Sequence, residues 1–210
     1  MKESKISMNK YFNLKFEKDL EEEFLDYSFF NSVVTVRFGI LLGSILYSVF
    51  GILDQYMLPI TKNIAWTIRF AVVVPFLLLI FAASYRPSFK KIFSQALICT
   101  SLLIGFGIVL MMFFSLETET GYNYYYTGLL LVIIWIGTFS QLKFKYVTFV
   151  ILAIISGYMF VVIYVQGMAA ARFSNLNFSI FLNNSFFSIG SAILAIFSSY
   201  SIEKDKRIKF

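Results

Sequence analysis

Six long apolar stretches, separated by short polar connections, constrain this chain more than any other feature. They cover residues of roughly 32–53, 64–84, 92–115, 124–139, 146–165 and 178–201. A helix needs about 20 residues to cross the hydrocarbon core of a bilayer. Within lipid every backbone N–H and C=O must find its partner inside the protein, which leaves helices and closed barrels as the spanning structures. None of the six stretches alternates strictly between apolar and polar residues, as barrel strands do. The expectation is an all-α, polytopic membrane protein with six transmembrane helices. The fourth stretch is short and borrows from the tyrosine run before it. Six such helices leave roughly 90 residues for tails and loops, so no second folded domain is expected. The chain divides into a cytoplasmic N-terminal amphipathic segment at 1–31, a six-helix transmembrane domain at 32–201 and the start of a cytoplasmic signalling helix at 202–210.

Composition agrees with that reading and removes several kinds of chemistry. Apolar residues make up 59% of the chain and charged residues 14%, against about 45–50% and about 25% in soluble proteins. A small soluble fold leaves too much surface exposed to hide that much apolar side chain. A soluble enzyme, a disordered chain and a disulfide scaffold are excluded. Histidine is absent, which removes the commonest general base and metal ligand. The single cysteine, Cys99, lies in an apolar run and is expected to be a small buried side chain. No catalytic residues, no metal and no cofactor are expected. An intramembrane hydrolase would need a catalytic pair, and neither histidine nor a facing pair of aspartates is available.

The placement of charge sets the orientation. The N-tail holds five lysines, the second loop Arg86, Lys90 and Lys91, the fourth Lys143 and Lys145, and the C-tail Lys204, Lys206, Arg207 and Lys209. The intervening loops hold only Lys62 and Arg172, so the tally is fourteen against two. Both termini are therefore expected in the cytoplasm, in an inner-membrane protein. The net charge of +6 belongs to membrane-flanking loops, so the bilayer rather than nucleic acid is the expected partner. Acidic residues through 1–31 rule against a secretory signal. Leu14, Phe16, Leu20, Phe24 and Leu25 recur near helical spacing in that tail. They suit an amphipathic helix lying on the inner membrane surface, or equally one packed on the C-terminal exit helix.

Polar residues inside a membrane are costly and mark the places to search for function. Asp54 closes the first span and Arg69 lies about two turns into the second, both near the outer face. Consecutive antiparallel helices are neighbours as a rule, so an Asp54–Arg69 ion pair is expected, either purely structural or coupled to a ligand. Pro75 falls in mid-span and should disturb its helix; Pro59 belongs to the outer turn. Trp66 reads as an interfacial anchor or a pocket wall. Asn183 and Asn184 enter the sixth helix at similar depth, as interhelical glue or as part of a polar floor. Asp54, Trp66, Arg69, Asn183 and Asn184 are thus the candidate lining of an outer-leaflet cavity. Tyr122, Tyr124, Tyr125 and Tyr126 read as an aromatic belt or a stacking site. Arg37 could reach phosphates or Glu203. Gly39 and Gly43 form G-x-x-x-G, and Ser191, Ala195 and Ser199 repeat the small-residue spacing; both suit close helix packing within one chain or between two.

Three stretches carry a family resemblance: LEEEFLDYSFFNSVVTVRFGILLG, GILDQYMLPITKNIAWTIRFAVVVPFLLL and FLNNSFFSIGSAILAIFSSYSIEKDKRIKF. In order and spacing they resemble the six-helix membrane input module that precedes bacterial class III adenylate/guanylate cyclases. Related modules precede diguanylate cyclases and histidine kinases. The resemblance implies that the sixth helix continues as a cytoplasmic signalling helix, with Tyr200, Glu203, Arg207 and Phe210 as its exit pattern, into a catalytic domain that works as a dimer. The chain carries no cyclase metal carboxylates, no kinase histidine and no Gly-rich phosphate loop, so it is not itself expected to be an enzyme.

The function expected is a membrane-embedded sensor and anchor that regulates and dimerises a cytoplasmic output, a nucleotide cyclase by the resemblance. Its partners would be the bilayer, a second copy, a small apolar or amphiphilic ligand and the signalling domain. The alternatives are a passive membrane anchor and a small transporter or channel. The last would call for broken helices recurring in two halves, and no such recurrence is evident.

Overall fold

A computed structural model describes residues 16–170 and 176–210, and they are almost wholly helical. Seven helices are numbered here: α1 (Lys18–Met57), α2 (Lys62–Ala83), α3 (Phe89–Phe114), α4 (Thr120–Tyr124), α5 (Tyr126–Thr138), α6 (Phe144–Val165) and α7 (Leu176–Lys209). Five of them, α1, α2, α3, α6 and α7, are long and apolar enough to cross a membrane. The fourth apolar stretch forms α4 and α5, split by a turn at Tyr125. At 13 residues, α5 is about 20 Å long, short of the roughly 30 Å of hydrocarbon.

The expected N-terminal segment and first span form one continuous helix from Lys18. Its polar start and the last turns of α7 extend beyond the apolar windows and meet at one end of the bundle. Lys2, Lys5, Lys10, Leu14, Lys15 and Arg172 lie outside the described residues.

Glycines set the closest helix approaches. A Cβ at Gly39 would stand 2.7 Å from Phe139 Cβ, and one at Gly43 would touch the Trp135 ring at 3.4 Å. The Trp135 indole N–H donates to the Gly39 carbonyl at 2.9 Å. The G-x-x-x-G face of α1 is thus occupied by α5 of the same chain. A Cβ at Gly137 would lie 2.7 Å from the Ala195 backbone, so the small-residue stripe of α7 receives the opposite face of α5. Such contacts bring backbones close where lipid provides no hydrophobic drive for helix association.

The disturbance expected at Pro75 takes the form of a π turn over Thr67–Val73. Proline lacks an N–H and its ring crowds the carbonyl four residues back. The widened turn relieves that conflict, and the Val74 N–H reaches five residues back to the Arg69 carbonyl. Such bulges gather at functional sites. Cys99 is exposed on α3, correcting its expected burial: a helix that faces lipid is apolar on its outward surface too, so an apolar neighbourhood does not mark the buried face.

Candidate functional site

Asp54, on the last turn of α1, and Arg69, in the π turn of α2, form a bidentate pair. Arg69 Nε donates to Asp54 Oδ2 and Nη2 to Oδ1, each at 2.9 Å. Both are buried, at 0% and 3% exposure. Arg69 Nη1 donates to the Tyr47 carbonyl at 2.6 Å, and Nη2 to the Tyr125 hydroxyl at 2.8 Å. That hydroxyl in turn donates to Asp54 Oδ1. The guanidinium lies 4.6 Å from the centroid of the Tyr47 ring, a cation–π distance. Charge and hydrogen-bonding capacity are nearly exhausted inside the cluster, which is what allows an ion pair to stand in a low-dielectric interior.

This cluster forms one end of an apolar crevice of about 210 Å³ between α1 and α5, with Ile104 and Ile108 of α3 behind it. Leu46 and Leu53 on one rim and Leu131 and Ile134 on the other are exposed, so the crevice opens sideways from the bundle. Asp54 and Arg69 line it; Trp66, Asn183 and Asn184 do not. The Trp66 indole N–H donates to the Gly51 carbonyl at 2.9 Å and fastens α2 to α1. Asn184 is buried and donates to the Asn123 carbonyl at 2.9 Å, joining α7 to α4. Asn183 is exposed, with Nδ2 3.3 Å from Asn184 Oδ1. The polar floor expected from Asp54, Arg69, Asn183 and Asn184 is therefore corrected to one made by Asp54 and Arg69 with the tyrosines. Similar depth along different helices did not mean a shared cavity.

Tyr47 and Tyr125 belong to the site; Tyr47 was missed, and Tyr125 was not tied to Asp54 and Arg69. Tyr47 lies seven residues before Asp54, two helical turns away on the same face, and that spacing was readable. Tyr125 stood in a run expected as an aromatic belt or a stacking site, with nothing to single it out. Tyr124 is exposed, but Tyr125 and Tyr126 are buried, and the Tyr122 hydroxyl donates to the Gln166 carbonyl at 2.8 Å. The break between α4 and α5 separates these directions.

The opposite end carries a second buried charge cluster. Arg207 donates to Glu21 through Nη1 at 2.8 Å and Nη2 at 3.1 Å, and to Glu203 through Nε at 3.0 Å and Nη2 at 2.9 Å. Lys143 donates to Glu21 at 2.6 Å. Glu203 also accepts the first N–H of α6, from Phe144, at 2.7 Å, a helix N-terminus favourable to a carboxylate. Burial raises the Glu21 carboxyl, yet the Arg207 and Lys143 bonds outweigh it and lower its pKa to about 2. Phe210 packs against Phe16, Phe24 and Tyr27, and Tyr200 meets Phe144 edge-on. All four expected exit residues thus contact the bundle. The N-terminal segment packs on the exit helix, the second of its two expected settings. Arg37 does not meet Glu203: it donates to Ser84 Oγ at 3.0 Å and to the Ser84 carbonyl at 2.6 Å, closing the end of α2.

Glu119 performs a similar service at the far end, accepting N–H groups of Ile60, Thr61 and Leu116 at 2.8–2.9 Å. Among the described residues no group of three or more Asp, Glu or Cys side chains could hold a metal ion.

An apolar helical bundle with a lateral crevice at one end and a fastened exit helix at the other defines the class: a membrane-embedded helical module. The family model of MASE8, a family of membrane-associated sensor domains, matches residues 52–210, and the chain belongs to that family. The matched region holds Asp54, Arg69, Tyr125 and the exit helix, whereas Tyr47 and Glu21 precede it. No curated protein matches the chain.

Proposed function

We propose that this sensor domain crosses the inner membrane six times, with α4 and α5 making the short fourth crossing and both ends cytoplasmic. On this reading it regulates and dimerises a signalling domain joined beyond its exit helix, a nucleotide cyclase by the resemblance above. The chain itself supplies no catalysis. A small apolar or amphiphilic ligand in the α1–α5 crevice shifts the packing of α1 against α5. The far end of α5 leads through a short loop to Lys143, which bonds Glu21 near the start of α1, and Glu21 grips Arg207 of the exit helix.

One observation carries this reading: the buried Glu21–Arg207–Glu203–Lys143 knot, which ties the last turns of α7 to α1 and to the α5–α6 connection. A passive anchor has no need to fix its exit helix by buried charges, which are expensive to desolvate. A ligand transmits a signal only when it binds two packings unequally, and a knot spanning three elements is a place where two packings differ. Reading the gene beyond the Phe210 codon is the test. A frame continuing through a helical linker into a cyclase domain supports the proposal, provided Arg207→Ala changes cyclase activity in membranes severalfold while Leu194→Ala, on the outward face of α7, leaves it unchanged. A stop codon directly after Phe210, or equal activity in both variants, overturns it.

A further inference from the structure

We infer that the α1–α5 crevice takes one uncharged, single-chain amphiphile from the bilayer, its polar end against Arg69. The inference rests on the sensory reading and narrows its ligand class. Four observations lead to it.

The first is access. The crevice opens between outward-facing rims on α1 and α5, so its natural reservoir is the hydrocarbon phase. The second is size. At about 210 Å³ it is below the roughly 300–1,000 Å³ of drug-sized pockets. Its α1 wall runs from Leu42 to Met57, about 22 Å at the helical rise. A membrane chain, which covers half of the roughly 30 Å core, fits that length singly; two chains side by side do not fit the volume.

The third observation is charge. Arg69 and Asp54 cancel, and the pair is bidentate. A carboxylate or phosphate end would have to draw Arg69 away and leave Asp54 buried and unpaired; an ammonium end would do the same to Arg69. Stranding one partner of a buried pair is heavily penalised, so a charged end is selected against. The fourth is unused hydrogen-bonding capacity. Of the five N–H groups of a guanidinium, four point to oxygen: two to Asp54, one to the Tyr47 carbonyl and one to Tyr125. The Tyr47 hydroxyl, also without a partner, stands against Gly107 of α3 and so is turned away from the crevice. The one spare Arg69 donor suits a hydroxyl or carbonyl oxygen.

The experiment uses the full chain in nanodiscs with a diazirine-bearing long-chain alcohol, photolysed and mapped by mass spectrometry. Labelling is expected within 42–57 and 124–139, displaced by the unlabelled alcohol and at least tenfold less well by the carboxylic acid of the same chain length. Gly43→Trp fills the crevice and should abolish the label there. Leu131→Trp, on the exposed rim where folding tolerates bulk, should weaken it as well, and Leu194→Trp on α7 should not. Label spread evenly over all outward-facing helix surfaces overturns the site, and equal displacement by the acid overturns the uncharged class. Neither readout depends on an output domain. Site-specific labelling with no domain beyond Phe210 would leave the crevice standing and remove the regulatory reading; uniform labelling with an activity change in Arg207→Ala would do the reverse.

Discussion

Arg69 shows why the arrangement around it is hard to change one residue at a time. Its guanidinium is buried among α1, α2, α3 and the α4–α5 turn, and its partners are Asp54 and Tyr47 of α1, Met111 Sδ of α3 and Tyr125 of the turn. Removing either member of a buried pair leaves the other without compensation, at about 3–5 kcal/mol, whereas replacing both with apolar residues of similar volume is often neutral. Arg69→Met and Asp54→Leu are therefore each expected to destabilise the bundle by about that amount, and the double variant by less than either single one. Reversible denaturation in detergent, analysed as a double-mutant cycle, checks this. Additive losses would mean that the two side chains act separately and that the bidentate geometry contributes nothing.

At the scale of elements, the knot that holds the exit helix has a pH dependence of definite sign. Glu21 faces Arg207 on α7 and Lys143 before α6, with Glu203 across Arg207. Its carboxyl is held down from 4.5 to about 2, so its contribution to docking is complete above about pH 4.5. That contribution is lost as the pH falls from there toward 2, where the folded form takes up its proton. Lys206, bonded to Ser32 Oγ at 2.7 Å, gives the same sign in an alkaline window. Burial pushes it down from 10.5 to about 8, against the pull of Glu203. The undocked form binds the extra proton between these values, so docking strengthens as the pH rises from about 8 to about 10.5. Hydrogen exchange in residues 203–209 should slow and quicken accordingly, and Glu21→Gln should remove the acidic limb while sparing the alkaline one. The sequence showed that these charges lay at one end, because loop charge is readable by counting. It could not show which would pair, since the partners stand up to 186 residues apart and depend on how the helices are arranged around the bundle.

For the whole molecule, the apolar runs exposed the helical class and most helix positions, because lipid imposes a length and a hydropathy that few residues can hide. The Asp54–Arg69 pair was legible for the same reason: two charges at matching depth on consecutive helices have few other partners. Tyr47 could have been added from its seven-residue spacing to Asp54, but Tyr125 is apolar enough to vanish among 26 Phe and 13 Tyr, and only the tertiary arrangement turns it inward. Orientation remains a matter of the loop charges, and it decides which leaflet feeds the crevice. With Cys99 replaced by alanine, single cysteines at Lys62, Glu117, Lys90 and Lys204 report it. Cytoplasmic retention of basic loops predicts that a membrane-impermeant thiol reagent reaches positions 62 and 117 in intact spheroplasts, and 90 and 204 only after permeabilisation. Asp54 and Glu119 would then lie toward the outer face, and the crevice would draw its polar-headed occupant from the outer leaflet. The reverse pattern would put that polar end in the inner leaflet and the charge knot outside the cell, where no cytoplasmic domain could receive a signal from the exit helix.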